Sequence, residues 1–387
     1  MADPAVPPAR GDLRLALFVL ALFAVFDAAV LTSVAATLPQ LYPDFFGTWS
    51  FARYVATNPP ATIYDQPRLH EFQRALAPGL PEFFPFAYPP SFMLLLAPLA
   101  PLSFAAAYLA WIAPAALAYL TLGARLLSWA VSARVALAAL ALLPASTLTL
   151  VYGQSGFLTA ALLLAALALL PARPLAAGVC IGLLTVKPQL GLLLPLALMA
   201  LGAWRALAAA ALTALALAAA SALAFGAETW PSWLAGMALH AQGSADAGAK
   251  YTAIMATPLA AFTRLGAPRA LALAGQAAAS LFAALTLWRA CRAGLTPRAM
   301  VLLLLGGIVA TPYAFVYDTP AAMAGTLLHL LHARRAAGGI GRVDLVLGIA
   351  VLLGPAFVFA AAPAPVLPLA LLALYVRVAL APSGSPA

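Results

Sequence analysis

A chain of 387 residues that is 65% hydrophobic and only 8% charged cannot build a water-soluble surface, because soluble domains carry about 25% charged residues. With a mean hydropathy of +1.00, the sequence reads as a polytopic integral membrane protein, and at ~20 residues per crossing its length allows roughly a dozen spans. The net charge of +9 does not indicate nucleic acid as a partner. The arginines stand singly between apolar runs, which is a mark of topology, with positive loops on the cytoplasmic side, rather than of a binding patch.

Residues 1–12 are short and Pro-rich. The apolar run that follows, 13–38, is too long for a signal-peptide core and lacks a clear cleavage site, so it is expected to be a retained first span. Asp27 falls in the middle of it and reads as a buried hydrogen-bonding residue. Residues 39–101 form the first exterior loop, with Asp44, Asp65, Glu71 and Glu82 set against Arg53, Arg68 and Arg74. Segments 45–56 and 68–77 are expected to be amphipathic helices lying in the interface, anchored by Trp49, Tyr54 and Phe72. Tyr88-Pro89-Pro90 opens an apolar stretch of about a dozen residues bracketed by prolines, too short to span and more consistent with a re-entrant or juxtamembrane segment.

Charge supports that reading. If the stretch does not cross, later spans fall near 103–126, 134–151, 156–171, 174–187, 188–202, 205–226, 268–290, 297–311, 318–334, 343–361 and 364–381. The loops carrying Arg125, Arg134, Arg173, Arg205, Arg289, Arg292, Arg298, Arg334, Arg335 and Arg342 then all become cytoplasmic, as do both termini. A second exterior stretch, 226–268, holds Trp230, Trp233, His240, Asp246, Lys250 and Tyr251, with a Gly- and Ala-rich middle at 242–249 that reads as mobile. The Ala- and Leu-rich runs, such as 205–224, read as helix-packing material. His329 and His332 read as interfacial residues at the cytoplasmic end of the tenth span, and His240 as a weak candidate contact in the exterior stretch. Cys180 and Cys291, far apart in apolar surroundings, read as inert thiols. The expected fold is therefore an all-α polytopic bundle of about 12 transmembrane helices, one membrane-embedded domain over 1–387, with exterior juxtamembrane helices.

Under this topology the polar residues at span ends collect on one side. They are Asp44, Tyr88, Tyr152-Gly153-Gln154, Lys187-Pro188-Gln189, and Thr311-Pro312-Tyr313 through Tyr317-Asp318. Each has a plainer alternative. Asp44 can cap the helix that follows, Lys187 can snorkel to the interface, Gln154 can cap a helix, and Asp318 can pair with an arginine or cap the tenth span. Against snorkelling, intramembrane cations are costly and mostly functional, and Pro188 breaks the helix just there.

A lone carboxylate can deprotonate a sugar hydroxyl, while a lysine near the interface can hold the phosphate of a lipid-linked leaving group. With Asp44 as base and Lys187 as phosphate ligand, the remaining substrate-binding candidates are Gln189, Gln154, Tyr152, Tyr88, Tyr313, Tyr317, Asp318 and Arg53. The chemistry is glycosyl transfer from a polyprenyl-phosphate sugar to a lipid or glycan acceptor. No Gly-rich phosphate loop or Asp-x-Asp pair is present, so neither a cofactor, a soluble nucleotide sugar nor a metal is expected. A lipid or glycolipid transporter is the alternative, but it should show related halves and polar groups on both sides, and no such halves are visible. A non-catalytic scaffold of an envelope-assembly complex would leave the one-sided cluster unexplained.

These motifs in this order, with Tyr64-Asp65, Phe86-Ala87-Tyr88-Pro89-Pro90, Pro98-Leu99, Trp111, Gly178 and Gly182 between them, resemble glycosyltransferase family 87 of the GT-C superfamily. That group includes polyprenol-phosphate-mannose-dependent mannosyltransferases. The resemblance runs from about Leu15 to Leu380. It implies a metal-independent, inverting enzyme of the bacterial inner membrane, with an exterior Asp as base, a role that carries onto Asp44. One departure is that Tyr317-Asp318 stands where the actinobacterial branch tends to carry a His pair. The donor sugar and acceptor do not transfer by analogy, since one fold hosts many substrates.

Overall fold

The computed structural model describes residues 21–32, 43–79, 83–246, 249–359 and 365–381. Arg10, Arg14, Glu82, the ends of the first expected span and the side chains of His240, Asp246, Lys250 and Tyr251 lie outside that description. Among the described residues all regular structure is helical, apart from an isolated antiparallel bridge between Met255 and Phe315. The first four helices are α1 (Ala21–Thr32), α2 (Pro43–Thr57), α3 (Gln66–Leu76) and α4 (Pro90–Leu96). Then come α5 (Phe104–Leu127), α6 (Ala133–Ala141), α7 (Pro144–Tyr152), α8 (Gly156–Leu169), α9 (Pro174–Leu183) and α10 (Leu194–Ala200). They are followed by α11 (Trp204–Phe225), α12 (Thr229–Asp246), α13 (Ala249–Ile254), α14 (Pro258–Arg264) and α15 (Arg269–Arg292). The chain closes with α16 (Pro297–Val309), α17 (Pro320–Ala337), α18 (Arg342–Leu353) and α19 (Val366–Leu380).

Three helices, α5, α11 and α15, are long and apolar enough to cross a membrane, and α6 with α7 makes a fourth if the pair, bent by 58°, is one span. Their outward faces carry exposed leucines, among them Leu109, Leu117, Leu212, Leu223, Leu271 and Leu281. That distribution suits a lipid solvent and makes this an all-α membrane protein. Most of the other expected spans appear as shorter apolar helices, while 318–334 falls on the 18-residue α17 and 343–361 on α18 and a following 3₁₀ segment, and proline sets several of the helix starts. Pro144 splits the expected span 134–151, and Pro188 opens a 3₁₀ turn (Pro188–Gly191) inside the run that ends with α10. A proline at the first helical position needs no partner for its missing N–H, so the same residue ends one segment and starts the next. The stretch Pro90–Leu99 covers roughly 15 Å, about half the hydrocarbon thickness.

Residues 226–268, the second expected exterior stretch, are mostly the helices α12, α13 and α14, with residues 247–248 outside the description. Tyr54, one of the expected interface anchors, is turned inward. Tyr54 is buried, with its ring centroid 5.1 Å from that of Phe72 and its hydroxyl 2.8 Å from Thr62 Oγ1. Two polar seams in the apolar interior satisfy themselves. Thr147 donates to Asp27 Oδ1 at 2.5 Å, as a buried mid-helix carboxylate requires. Gln73, also buried, donates to Ser50 Oγ and Phe84 O and accepts from Phe84 N, tying the segment before α4 onto α2 and α3.

Close packing of α9 on α11 positions the break near Lys187. A Cβ on Gly178 would lie 2.3 Å from Ala206 O, and one on Gly182 would lie 2.4 Å from Thr213 Cβ. The two glycines are four residues apart on one face, the spacing that lets membrane helices approach backbone to backbone.

Candidate active site

Asp44 sits in the first turn of α2, where the partial positive charge of the helix N-terminus favours a carboxylate. Its neighbour Phe45 is fully buried, with ring centroids 5.3 Å from Phe104 and 5.2 Å from Tyr108. That clamp fixes the start of α2 against α5 and leaves the Asp44 side chain half-buried. Gln154 Nε2 donates to Asp44 Oδ2 at 3.0 Å across 110 residues of sequence.

The segment Tyr152-Gly153-Gln154-Ser155-Gly156 between α7 and α8 makes this contact possible. Gly153 ends α7 in the left-handed region, at φ 63°, and a Cβ there would lie 2.5 Å from Phe45 Cβ. Only glycine meets both demands, the conformation and the close approach to α2. Gly156 meets the second demand on the other side, since a Cβ would lie 1.8 Å from Tyr317 O. Thr149 Oγ1 also donates to Tyr317 O at 3.1 Å. The two glycines thus bring the N-terminus of α2 and the turn before α17 against one short connection. Helix α5 holds that connection through Tyr108, which donates to Leu150 O at 2.7 Å, and Trp111, which donates to Gly153 O at 3.1 Å. Further along α5, Tyr119 donates to Pro320 O at the start of α17.

Lys187 lies between two 3₁₀ segments with an extended backbone, φ −137° and ψ 69°. It is buried rather than snorkelling, and its Nζ lies 2.5 Å from Asp318 Oδ1. The other Asp318 oxygen accepts from Phe315 N at 3.0 Å. Nζ is 6.0 Å from the Tyr88 ring centroid and 5.7 Å from that of Tyr317, within reach of cation–π attraction. Tyr88 closes the arrangement, with its hydroxyl 3.5 Å from Gln154 Oε1 and its ring stacked on Phe92 at 4.0 Å. Tyr64 donates to Tyr88 O at 2.9 Å, holding the turn before α4. Tyr88 and Tyr317 lie in connections between helices. Burial, with the Asp44 and Asp318 charges adding to it, pushes both phenols up, so both stay protonated and can donate hydrogen bonds.

The sequence candidates therefore divide. Asp44, Gln154, Tyr88, Lys187, Tyr317 and Asp318 form one connected set. Tyr152 joins it through its ring, 5.7 Å from Tyr317, and Tyr313 through Phe315, at 4.9 Å. Gln189 is half-buried beside Lys187 in the chain. Arg53 is not brought to the set: its guanidinium lies 4.6 Å from the Trp49 ring centroid, on another part of α2. Asp318 pairs with Lys187 and not with an arginine. Tyr64 stood out in the sequence only as part of the Tyr64-Asp65 motif, and Tyr108 and Thr149, which also hold these elements together, had no signal beyond being polar atoms in an apolar chain.

His329 also differs from expectation. It is buried, with Nε2 3.0 Å from Asp344 Oδ1, and Arg377 donates to Asp344 Oδ2 at 3.0 Å. The approach of α18 to α17 that permits this runs over Gly348, whose Cβ would lie 2.8 Å from Leu330. His332 packs on Trp129 at 4.1 Å. Among the described residues no group of His, Cys, Asp and Glu could hold a metal ion, and Cys180 and Cys291 are free thiols.

The sequence profile of glycosyltransferase family 87 matches residues 86–316, more than half of the chain. The chain belongs to glycosyltransferase family 87. No curated protein and no solved structure matches it. As a family 87 glycosyltransferase it carries Tyr88, Tyr152, Gln154, Lys187, Gln189 and Tyr313 inside the matched stretch, while Asp44, Arg53, Tyr317 and Asp318 lie outside it.

Proposed function

We propose that this glycosyltransferase moves a sugar, a hexose such as mannose, from a polyprenyl-phosphate donor to a lipid or glycan acceptor. The reaction takes place at the exterior face of a bacterial inner membrane, with inversion. The observation that carries the reading is the joining of Asp44, through Gln154 and Tyr88, to the buried Lys187 and Asp318. A base, a cation and protonated phenols from five separate stretches of the chain meet in one place.

In this reading the acceptor hydroxyl gives its proton to Asp44 as its oxygen attacks the anomeric carbon. The bond from that carbon to the phosphate oxygen breaks on the opposite face. Its electron pair stays on the phosphate, which leaves as polyprenyl phosphate with Lys187 stabilising the charge. Gln154 orients the Asp44 carboxylate by donating to Oδ2, and the tyrosines grip the sugar.

The test is protein reconstituted in lipid and supplied with radiolabelled polyprenyl-phosphate mannose, glucose or arabinose and a membrane extract as acceptor. Transfer from one of the three names the donor. Saturable binding without transfer of any of them would favour a lipid or glycolipid transporter.

A further inference from the structure

The Lys187 ammonium is already neutralised. Asp318 holds it at 2.5 Å, both side chains are almost completely buried, and a phosphate arriving beside this pair would meet no net positive charge. We propose that Asp318 occupies the place of the donor phosphate on Lys187, and that binding the lipid phosphate exchanges one anion for the other. This rests on the reading of Lys187 as the donor-phosphate ligand and adds to it how the site holds its cation when empty.

The surroundings suit an exchange better than a permanent strut. Asp318 keeps a partner when released, because the Phe315 N–H at 3.0 Å stays with its other oxygen. Lys187 keeps its place as well. The faces of Tyr88 and Tyr317, at 6.0 and 5.7 Å, hold an ammonium whichever anion it carries. Its backbone is held by the two flanking 3₁₀ turns, through Leu184 O and Leu190 N, so an exchange of anions asks only the side chains to move. A buried lysine without a counter-ion would be strongly destabilising, so the empty site needs an internal anion. Once the phosphate supplies the counter-charge, that anion becomes a competitor. The cost of opening the pair is set against donor affinity, and product release is helped as Asp318 returns.

The experiment uses full-length protein in detergent micelles with farnesyl phosphate as a short-chain probe and farnesol as its uncharged control. Binding is followed as a ligand-dependent rise in unfolding temperature. The wild type is expected to respond to farnesyl phosphate and not to farnesol. Asp318→Asn, which keeps an acceptor for the Phe315 N–H, is expected to unfold at a lower temperature without ligand but to bind farnesyl phosphate roughly ten-fold tighter. A merely structural Asp318 would leave affinity unchanged or weaken it, and either result in Asp318→Asn would overturn the exchange. Should that variant not fold, the neutral pair Lys187→Gln with Asp318→Asn decides: it is expected to lose the farnesyl phosphate response, and a wild-type response there overturns the proposal. If the wild type itself ignores farnesyl phosphate, the donor-phosphate reading of Lys187 fails, and the exchange with it.

Discussion

The carboxylates of Asp318 and Asp344 are both buried and both meet α17, yet the chain treats them differently. Asp344 is shared by two side chains, His329 and Arg377, and all three residues sit on regular helices that pack side by side. Asp318 has one cation and one backbone N–H, its lysine stands where the helix is broken, and aromatic rings surround the pair. The first arrangement fixes the C-terminal helices to one another. His329 Nδ1 is buried with no hydrogen-bond partner among the described residues. The second arrangement joins elements that are otherwise far apart and leaves its cation on irregular backbone. Roughly 14 Å of α17, from Pro320 to His329, separates a staple from a site.

Breaking each cluster separately should sharpen that contrast. Of variants in these two clusters, Lys187→Ala should have the largest effect on chemistry, lowering turnover by about 10²–10³-fold and weakening donor binding, as loss of a charge-stabilising group does. Steady-state rates over a range of donor concentrations would show both, and an unchanged donor affinity would leave Lys187 a purely structural residue. Asp344→Ala should act on stability, by about 3 kcal/mol, because it strands the buried His329 and removes the partner of the half-exposed Arg377. Turnover per folded molecule should stay at the wild-type value; a fall comparable to that of Lys187→Ala would erase the distinction between the clusters. Arg377→Ala should do least. Its side chain is 46% exposed, and pairs open to solvent contribute about 1 kcal/mol or less. Thermal unfolding of the three variants side by side would rank them.

Much of the site was legible because membrane chains make polar residues expensive. In a chain with 11 Asp and Glu, each carboxylate next to a proline or glycine break calls for a reason, and the arginine pattern led to the expectation that these breaks share one side. The connection from Asp44 to Gln154 could be anticipated only as convergence. Its basis is that Gly153 and Gly156 admit two other segments within van der Waals distance, which is a property of packing and not of local pattern. The partner of Lys187 lies 131 residues away, and nothing local distinguishes Asp318 pairing with a lysine from pairing with an arginine. His329 was misread for the opposite reason. A histidine near the end of an apolar run with arginines after it looks interfacial, and only the approach of α18 over Gly348 reveals that it is buried. Arg53 shows the limit of proximity in sequence, since nine residues from Asp44 on the same helix it turns to Trp49 instead. The expected dozen spans were drawn from apolar run length, but proline divides several of those runs into helices too short to cross alone.

The most direct test of Asp44 as the base is to compare wild type with Asp44→Asn in lipid, measuring donor binding and single-turnover sugar transfer on the same preparations. A general base that is lost costs about 10²–10⁴-fold, while Asn keeps the size and the acceptor for Gln154. The account predicts that Asp44→Asn binds donor within a few-fold of wild type and transfers sugar slower by that factor. Transfer at the wild-type rate by Asp44→Asn would contradict it and move the base to another residue of the site.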